Sequence, residues 1–307
     1  MRVVFFGTPD FAVPSLDALL AAGHDVRAVV TQPDRPRTRS HSTLVPSPVK
    51  QRATEAGIEV LQPERPRGTE FLDRIASLDC DLGVVVAYGH ILRPELLAIP
   101  RLGMINVHAS ILPRWRGAAP IHWAILSGDS ETGVSIMTVA EGLDSGPVWH
   151  VVRTPIEADT TTGQMFTQLA HLGAQALIDA LPKLTDGTTP TPQDPAMVTL
   201  APKIDREVAR IDWSESAHKV SCRIRAMDPA PGAWTTLDEQ PFKLYSPVDV
   251  GGHNLPAGEI SISDDQLIVG CGAGALSIGE IQPAGRRRLP VNEWLRGASG
   301  VSGRRFT

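Results

Sequence analysis

Residues 2–31 read RVVFFGTPDFAVPSLDALLAAGHDVRAVVT, and this stretch decides the architecture. The run Arg2 to Gly7 is apolar after its first residue, Gly7-Thr8-Pro9-Asp10 supplies a turn, and Pro14-Ser15-Leu16 opens an apolar-periodic helix that Gly23 can end. Asp25 to Thr31 carries Val26, Ala28, Val29 and Val30, which reads as a second buried strand. Strand, helix, strand is a parallel βαβ unit, because a strand that returns to the same sheet in the same direction needs a crossover of this length.

Outward from this unit the pattern repeats. Helices are expected around Pro48 to Ala56 and Glu70 to Leu78, and strands over Ile58 to Leu61, Leu82 to Ala87 and Met104 to His108. A helix follows over Pro120 to Leu126, then strands over Val134 to Val139 and Val148 to Thr154. A long helix covers Thr160 to Leu181, where Met165, Leu169, Leu172, Ala176 and Leu177 keep close to helical spacing. The sum is an α/β domain with a doubly wound, mostly parallel sheet of Rossmann type over 1–184. Ligands of such sheets sit outside the carboxyl ends of the strands, so residues just after Gly7, Ala87 and His108 are expected near the crevice.

Residues 185–204 change texture. Thr188, Thr189, Pro190, Thr191, Pro192 and Pro195 read as a surface linker. Beyond it, one helix (Ser216 to Met227) precedes five short alternating runs: Ala233 to Leu237, Phe242 to Tyr245, Glu259 to Ile262, Leu267 to Val269 and Ala275 to Ile281. Five such strands predict a small OB-like β-barrel over 205–307, of the type that binds oligonucleotides.

At 307 residues the chain can bury one sizeable core and still supply a second module, and 42% hydrophobic with 21% charged residues excludes disordered and membrane classes. The N-terminal apolar run is too short for a signal-peptide core and no 18-residue apolar run follows, so a cytoplasmic protein without membrane contact is expected. Cys80, Cys222 and Cys271 have no paired spacing and read as reduced packing residues, and the nine histidines show no ligand spacing, so no metal is expected. The net charge of −5 argues against a general nucleic-acid coat. Local charge differs: Arg35, Arg37, Arg39, Lys50 and Arg52 have no acid among them, and residues 281–307 hold six arginines against Glu293 alone. Each cluster alone reads as a solvated face; together they point to an anionic partner.

Gly7-Thr8-Pro9-Asp10 stands where a nicotinamide dehydrogenase carries Gly-x-Gly-x-x-Gly, and lacks that pattern. The candidate chemistry lies later. Asn106 and His108 are two apart on an expected strand, so both side chains leave one face while Ile105 and Val107 leave the other. Asn-x-His alone is a weak signal, and Asp144 between Gly142 and Gly146 reads by spacing as a turn-forming residue.

What raises these residues is their setting. Asn106-Val107-His108-Ala109-Ser110-Ile111-Leu112-Pro113 and Gly142-Leu143-Asp144-Ser145-Gly146-Pro147 resemble the folate-dependent formyltransferases. Phe6-Gly7-Thr8-Pro9-Asp10-Phe11-Ala12, Thr31-Gln32-Pro33-Asp34-Arg35-Pro36, Pro46-Ser47-Pro48-Val49-Lys50 and Ala201-Pro202-Lys203 resemble the branch of that family that formylates an aminoacyl-tRNA. So do Arg210-Ile211-Asp212-Trp213 and Gln282-Pro283-Ala284-Gly285, and together the motifs span nearly the whole chain. The sequence departs from the family after Pro36, where Arg37-Thr38-Arg39-Ser40-His41-Ser42-Thr43 replaces a glycine-and-basic-rich stretch; Trp115 replaces a frequent Tyr and Ser145 a frequent Thr.

The resemblance implies 10-formyltetrahydrofolate as formyl donor and initiator methionyl-tRNA as acceptor, with the protein a monomer. It implies Asn106, His108 and Asp144 as catalytic residues around the formyl carbon. Ser110, Ile111, Leu112 and Pro113 would form the folate loop, Ile91 and Leu92 would line the pterin pocket, and Arg35, Arg37, Arg39, Arg286, Arg287 and Arg288 would meet the RNA. The residue types suit the reaction: attack on an amide-like carbonyl leaves negative oxygen, which an Asn N–H and a protonated His can stabilise by roughly 3 kcal/mol per donor. A carboxylate beside the His fixes its orientation and can take the amine's proton. Two other readings stay open, a formyltransferase acting on a small amine such as a sugar nucleotide, and a non-catalytic RNA-binding protein on the same scaffold.

Overall fold

The computed structural model describes residues 1–36, 44–252, 254–298 and 300–307. Its contacts divide into two compact units, the first made of Met1–Gly117, Thr132–Thr154 and Phe166–Leu200, the second of Ala118–Glu131, Pro155–Met165 and Ala201–Thr307.

The chain begins with strand β1 (Arg2–Gly7), helix α1 (Val13–Ala21), β2 (Asp25–Val30), the short β3 (Arg35–Pro36) and β4 (Leu44–Val45), α2 (Pro48–Glu55), β5 (Glu59–Leu61) and α3 (Thr69–Ser77). Next come β6 (Leu82–Val86), α4 (Pro94–Leu97), β7 (Met104–His108), the short β8 (Arg116–Gly117), α5 (Pro120–Leu126), β9 (Glu131–Thr138), β10 (Val148–Pro155) and α6 (Thr162–Ala180). Seven strands make one sheet in the order β10-β9-β7-β6-β1-β2-β5. β1 pairs in parallel with β2 and β6, β2 with β5 and β6 with β7, whereas β9 runs antiparallel to β7. The chain grows from β1 to one side through β2 and β5, then returns to the other through β6 and β7. The expected doubly wound sheet is thus present, with its reversal between β1 and β6.

Local chemistry explains the elements. Pro14, Pro48, Pro94 and Pro120 occupy first turns, where their missing N–H costs nothing and their fixed φ favours the helix. Ser47 caps α2 by accepting from Lys50 N at 3.1 Å. β6 is buried at all five positions and β1 at five of six, as befits central parallel strands covered on both faces. Val4, Phe6, Ala28, Val30, Ile75, Tyr88, Leu96 and Met104 form one core cluster on this sheet. Cys80, Cys222 and Cys271 are buried free thiols, and burial pushes Cys80 and Cys271 up to about 11, which suits packing rather than reactivity.

The start of β1 is held by Asp81, which accepts from Arg2 N at 2.8 Å, Arg2 Nη2 at 2.9 Å and Arg101 Nη2 at 3.0 Å. The Arg2 guanidinium above all, then the Arg2 backbone N–H, holds the Asp81 carboxyl well below the usual carboxylate range. A depressed native value means this group stabilises the fold above its unfolded value, about 3.9, and ceases to do so as pH falls below that toward the native value. Asp81→Asn is therefore expected to lower Tm at about pH 7, by an amount that shrinks as the pH falls from about 4 toward about 2. Thermal melts across that range check this; a constant offset at every pH would contradict it.

The second unit contains α5, which packs against α7 (Ala217–Ala226). Thr162 Oγ1 donates to Ala226 O at 2.8 Å and Trp123 Nε1 to Pro202 O at 2.8 Å. After the short β11 (Leu200–Ala201) come β12 (Ala233–Leu237), β13 (Gln240–Asp249), β14 (Ile260–Ser263), β15 (Gln266–Gly270), β16 (Ala275–Pro283), β17 (Leu289–Pro290) and α8 (Val291–Leu295). The antiparallel order is β12-β13-β16-β15-β14, with β17 on β16. Residues 303–307 bridge the two ends of that path. Ile260 N donates to Arg304 O and Phe306 N to Gly258 O on one side, while Thr236 and Thr307 exchange two 2.9 Å hydrogen bonds on the other. The five expected strands thus close into a ring through a segment whose composition gave no strand signal. The two units interleave along the chain, because α5 and residues 155–165 belong with the second. Among the described residues no helix is long and apolar enough to cross a membrane.

Candidate active site

β7 delivers two polar side chains to one face. Asn106 lies opposite Met137 and His108 opposite Ser135 on β9. Val107 leaves the other face, where α6 packs so closely that a Cβ on Gly173 would lie 2.8 Å from Val107 Cγ1. The alternation expected from sequence therefore holds: one face of β7 is core and the other carries the chemistry.

His108 is 5% exposed. Its Nε2 lies 2.9 Å from Trp115 O, a carbonyl that can only accept, so this nitrogen bears a proton. Its Nδ1 lies 3.7 Å from Asp144 Oδ2, longer than a hydrogen bond and within ion-pair reach. Asp144 Oδ2 accepts from Gly117 N at 2.8 Å, which fixes that carboxylate oxygen. Asn106 is half-buried, and among the described residues no hydrogen bond holds its side-chain amide.

Three residues with left-handed backbone lie at or near the site: Ala87 just after β6 (φ 47°), Trp115 (φ 64°) and Asp144 (φ 44°). Such angles are costly for a bulky residue like Trp and tolerated by Asp, so surrounding contacts must hold them. Trp115 N donates to Thr199 Oγ1 at 2.9 Å. The intervening loop is tied down by Ser110, fully buried, whose Oγ donates to Arg114 O at 2.6 Å. Ser135 Oγ donates to Ser110 O at 2.7 Å and accepts from Leu112 N at 3.0 Å. Gly146 permits the Asp144 turn to lie on β9, since a Cβ there would fall 1.8 Å from Thr138 O. Gly146→Ala is expected to displace Asp144 and lower turnover about 100-fold while the protein still folds. Steady-state kinetics beside a thermal melt would check this; unchanged turnover would contradict it.

The sequence candidates fall into groups. His108 and Asp144 meet, and Asn106 shares their face. Ser110 and Leu112 are buried in the loop, while Ile111 and Pro113 are partly exposed. Ile91 is 88% exposed, whereas its neighbour Leu92 packs into the core beside Tyr88 and Leu96. Arg35 is exposed and donates to Gln32 Oε1 at 2.8 Å; Arg37 and Arg39 lie outside the described residues. Arg286 and Arg287 are exposed, with Arg287 3.4 Å from Glu293. Arg288 is occupied within its own unit: it pairs with Asp228 at 2.8 Å and Glu280 at 2.5 Å, and its guanidinium lies 3.8 Å from the centre of the Tyr245 ring. Its neighbours in sequence gave no sign of a partner 60 residues away.

Sequence reasoning missed Trp115 O and Gly117 N, which act through backbone atoms and leave no residue-type signature. It also missed Gln193, in the segment read as linker, whose side chain touches the Asp144 turn.

Residues 1–181 match the formyl transferase family and residues 203–299 the formyl transferase C-terminal domain. The methionyl-tRNA formyltransferase of Methylococcus capsulatus is 47% identical over 308 aligned residues, covering 100% of this chain and 99% of the relative. That of Ruegeria pomeroyi is 46% identical, covering 97% of each. Among solved structures, WlaRD, a sugar 3N-formyl transferase determined in the presence of dTDP and 5-N-formyl-THF, superposes with a TM-score of 0.70 at 17% identity, covering 94% of this chain and 99% of that one. The last likeness concerns the fold alone.

Proposed function

The chain belongs to the formyl transferase family, and from that premise we propose that it moves the formyl group of 10-formyltetrahydrofolate to the free amino group of initiator methionyl-tRNA, giving N-formylmethionyl-tRNA for translation initiation. The acceptor rests on the near-complete likeness to relatives named for that reaction. The observation that carries the chemistry is the His108–Asp144 pair on the strand face that also carries Asn106, whose amide has no hydrogen bond among the described residues.

These groups fit an amide-like carbonyl. Asn106 donates an N–H to the carbonyl oxygen as that oxygen becomes negative, which is worth roughly 3 kcal/mol in a preorganised site. His108 Nε2 is committed to Trp115 O, which leaves Nδ1 as the nitrogen that faces both Asp144 and the reacting atoms. A ring donating from both nitrogens is cationic, and the Asp144 carboxylate balances that charge. Asp144 Oδ2 is engaged by Gly117 N, so Oδ1 is the oxygen that takes the proton released by the attacking amine; as the tetrahedral carbon collapses, its bond to N10 breaks and that proton passes to N10 of the departing tetrahydrofolate. Ser110, Ile111, Leu112 and Pro113 bound the donor side of the site, and the exposed Ile91 offers apolar surface to the folate ring.

In the second unit, Arg286 and Arg287 present cations to the RNA, helped by Arg35 in the first, while Arg288 keeps the barrel intact. Binding of the charged tRNA is expected to weaken as salt rises from about 50 to 200 mM, and Arg286→Ala with Arg287→Ala to reduce the slope of log K against log salt by about 2. Filter binding across the salt series measures it; an unchanged slope would remove these arginines from the interface. The protein acts on this reading as a cytoplasmic monomer, which sedimentation would check.

The deciding experiment incubates the protein with 10-formyltetrahydrofolate and either methionyl-tRNA or small amines, including an amino-sugar nucleotide. Formyl transfer to the methionyl-tRNA is expected to dominate. Preference for the amino sugar would overturn the acceptor, and absence of transfer to any amine would favour a non-catalytic RNA-binding role.

A further inference from the structure

Gln193 lies in a segment rich in Thr and Pro, well outside the strands and helices that frame the site. Its side chain nevertheless uses all its hydrogen-bonding capacity at one place. Nε2 donates one hydrogen to Asp144 O at 2.8 Å and the other to Gly146 O at 2.7 Å. Oε1 accepts from Arg116 Nε at 2.9 Å and Arg116 Nη2 at 2.7 Å. The orientation of the amide is forced, because a guanidinium can only donate and two carbonyls can only accept. Rotating it by half a turn would break all four bonds.

The two things so joined are the two anchors of the Asp144 carboxylate. Arg116 precedes Gly117, whose N–H holds Oδ2 at 2.8 Å. Asp144 and Gly146 are the turn from which that carboxylate projects, and Asp144 has the left-handed φ of 44°. A strained turn keeps its conformation only if its neighbours hold it. Gln193 holds its carbonyls on one side, and the close approach of Gly146 to Thr138 O limits it on the other.

We propose that Gln193 is a positioning residue for formyl transfer: by clamping the Asp144 turn to Arg116, it sets the carboxylate against His108. The inference rests on the assignment of Asp144 above. Three properties follow. All four hydrogen bonds of the Gln193 amide are made within the protein, so its loss acts on turnover rather than on substrate affinity. Its effect passes through Asp144, so it vanishes when Asp144 no longer works. A side chain that keeps the bond to Arg116 but cannot donate to the two carbonyls is not a substitute.

The test is a double-mutant cycle on the full chain, followed by formyl transfer to methionyl-tRNA. Gln193→Ala is expected to lower kcat about 100-fold, as befits a catalytic group displaced by about an ångström, with KM for the folate donor and the tRNA within about twofold of the parent. Gln193→Glu, which still pairs with Arg116, is expected to lose as much, and it guards against simple loss of folding in the alanine variant; melts establish that both fold. In an Asp144→Asn background, Gln193→Ala is expected to cost about threefold or less, because groups acting as a unit are non-additive. Full additivity in that background, a rise in KM with kcat unchanged, or a Glu variant as active as the parent would each overturn the proposal. If Asp144→Asn alone leaves activity intact, the assignment of Asp144 fails, a result distinct from any of these.

Discussion

His108→Ala is expected to lower kcat for formyl transfer by about three orders of magnitude, within the range for loss of a positioned acid–base group and a charge-stabilising donor. The imidazole is 5% exposed, holds Trp115 O through Nε2 and lies beside the Asp144 carboxylate, so on the proposed mechanism its removal takes away both the donor to the reacting carbonyl and the neighbour of Asp144. KM values should change little, since neither the loop at 110–113 nor the basic surface is touched. His108→Ala combined with Asp144→Ala should cost scarcely more than either change alone, because the pair acts as one unit. Single-turnover assays with saturating donor measure all of this. Activity surviving the double change would sink the assignment of both residues.

Phe306→Ala is expected to cost about 3–5 kcal/mol of stability in the second unit, the range for deleting a large buried aromatic. Phe306 is 1% exposed, stacks on Trp213 with ring centres 5.9 Å apart, and meets the edge of Phe242 at 6.1 Å. It also sits in the segment that closes the ring, where its N–H donates to Gly258 O. Loss of its ring therefore leaves a cavity and loosens the backbone bridge between β12 and β14 at once. Calorimetry should show a lower Tm for the transition of this unit, and methionyl-tRNA affinity should fall as it melts. A variant as stable as the parent would show that residues 303–307 do not hold the barrel closed.

Much of this was legible in the chain. β7 and β12 begin and end where alternation and turn residues put them, and α5 where its proline and apolar spacing put it. The other long elements fall within a few residues of their expected limits, because strongly periodic burial leaves little freedom. Short pieces escaped: α4, α8 and the closing segment 303–307 are too brief for a period to register, and their bonds come from neighbours distant in sequence.

The candidate site divides in the same way. The sequence by itself determined that Asn106 and His108 share a face at the end of a strand, since the period of an extended chain is two residues and nothing else about the fold can alter it. It also determined the family, through motifs distributed over the whole chain. Only the tertiary structure decided which ring nitrogen of His108 is taken by Trp115 O, that Gly117 N fixes one oxygen of Asp144, and that Arg288 is held by Asp228 and Glu280 rather than left open. It alone linked Gln193 to Asp144, 49 positions apart. Periodicity reports which way a side chain leaves its own backbone; what it meets is set by segments far along the chain, and hydrogen bonds to backbone atoms carry no residue identity to read.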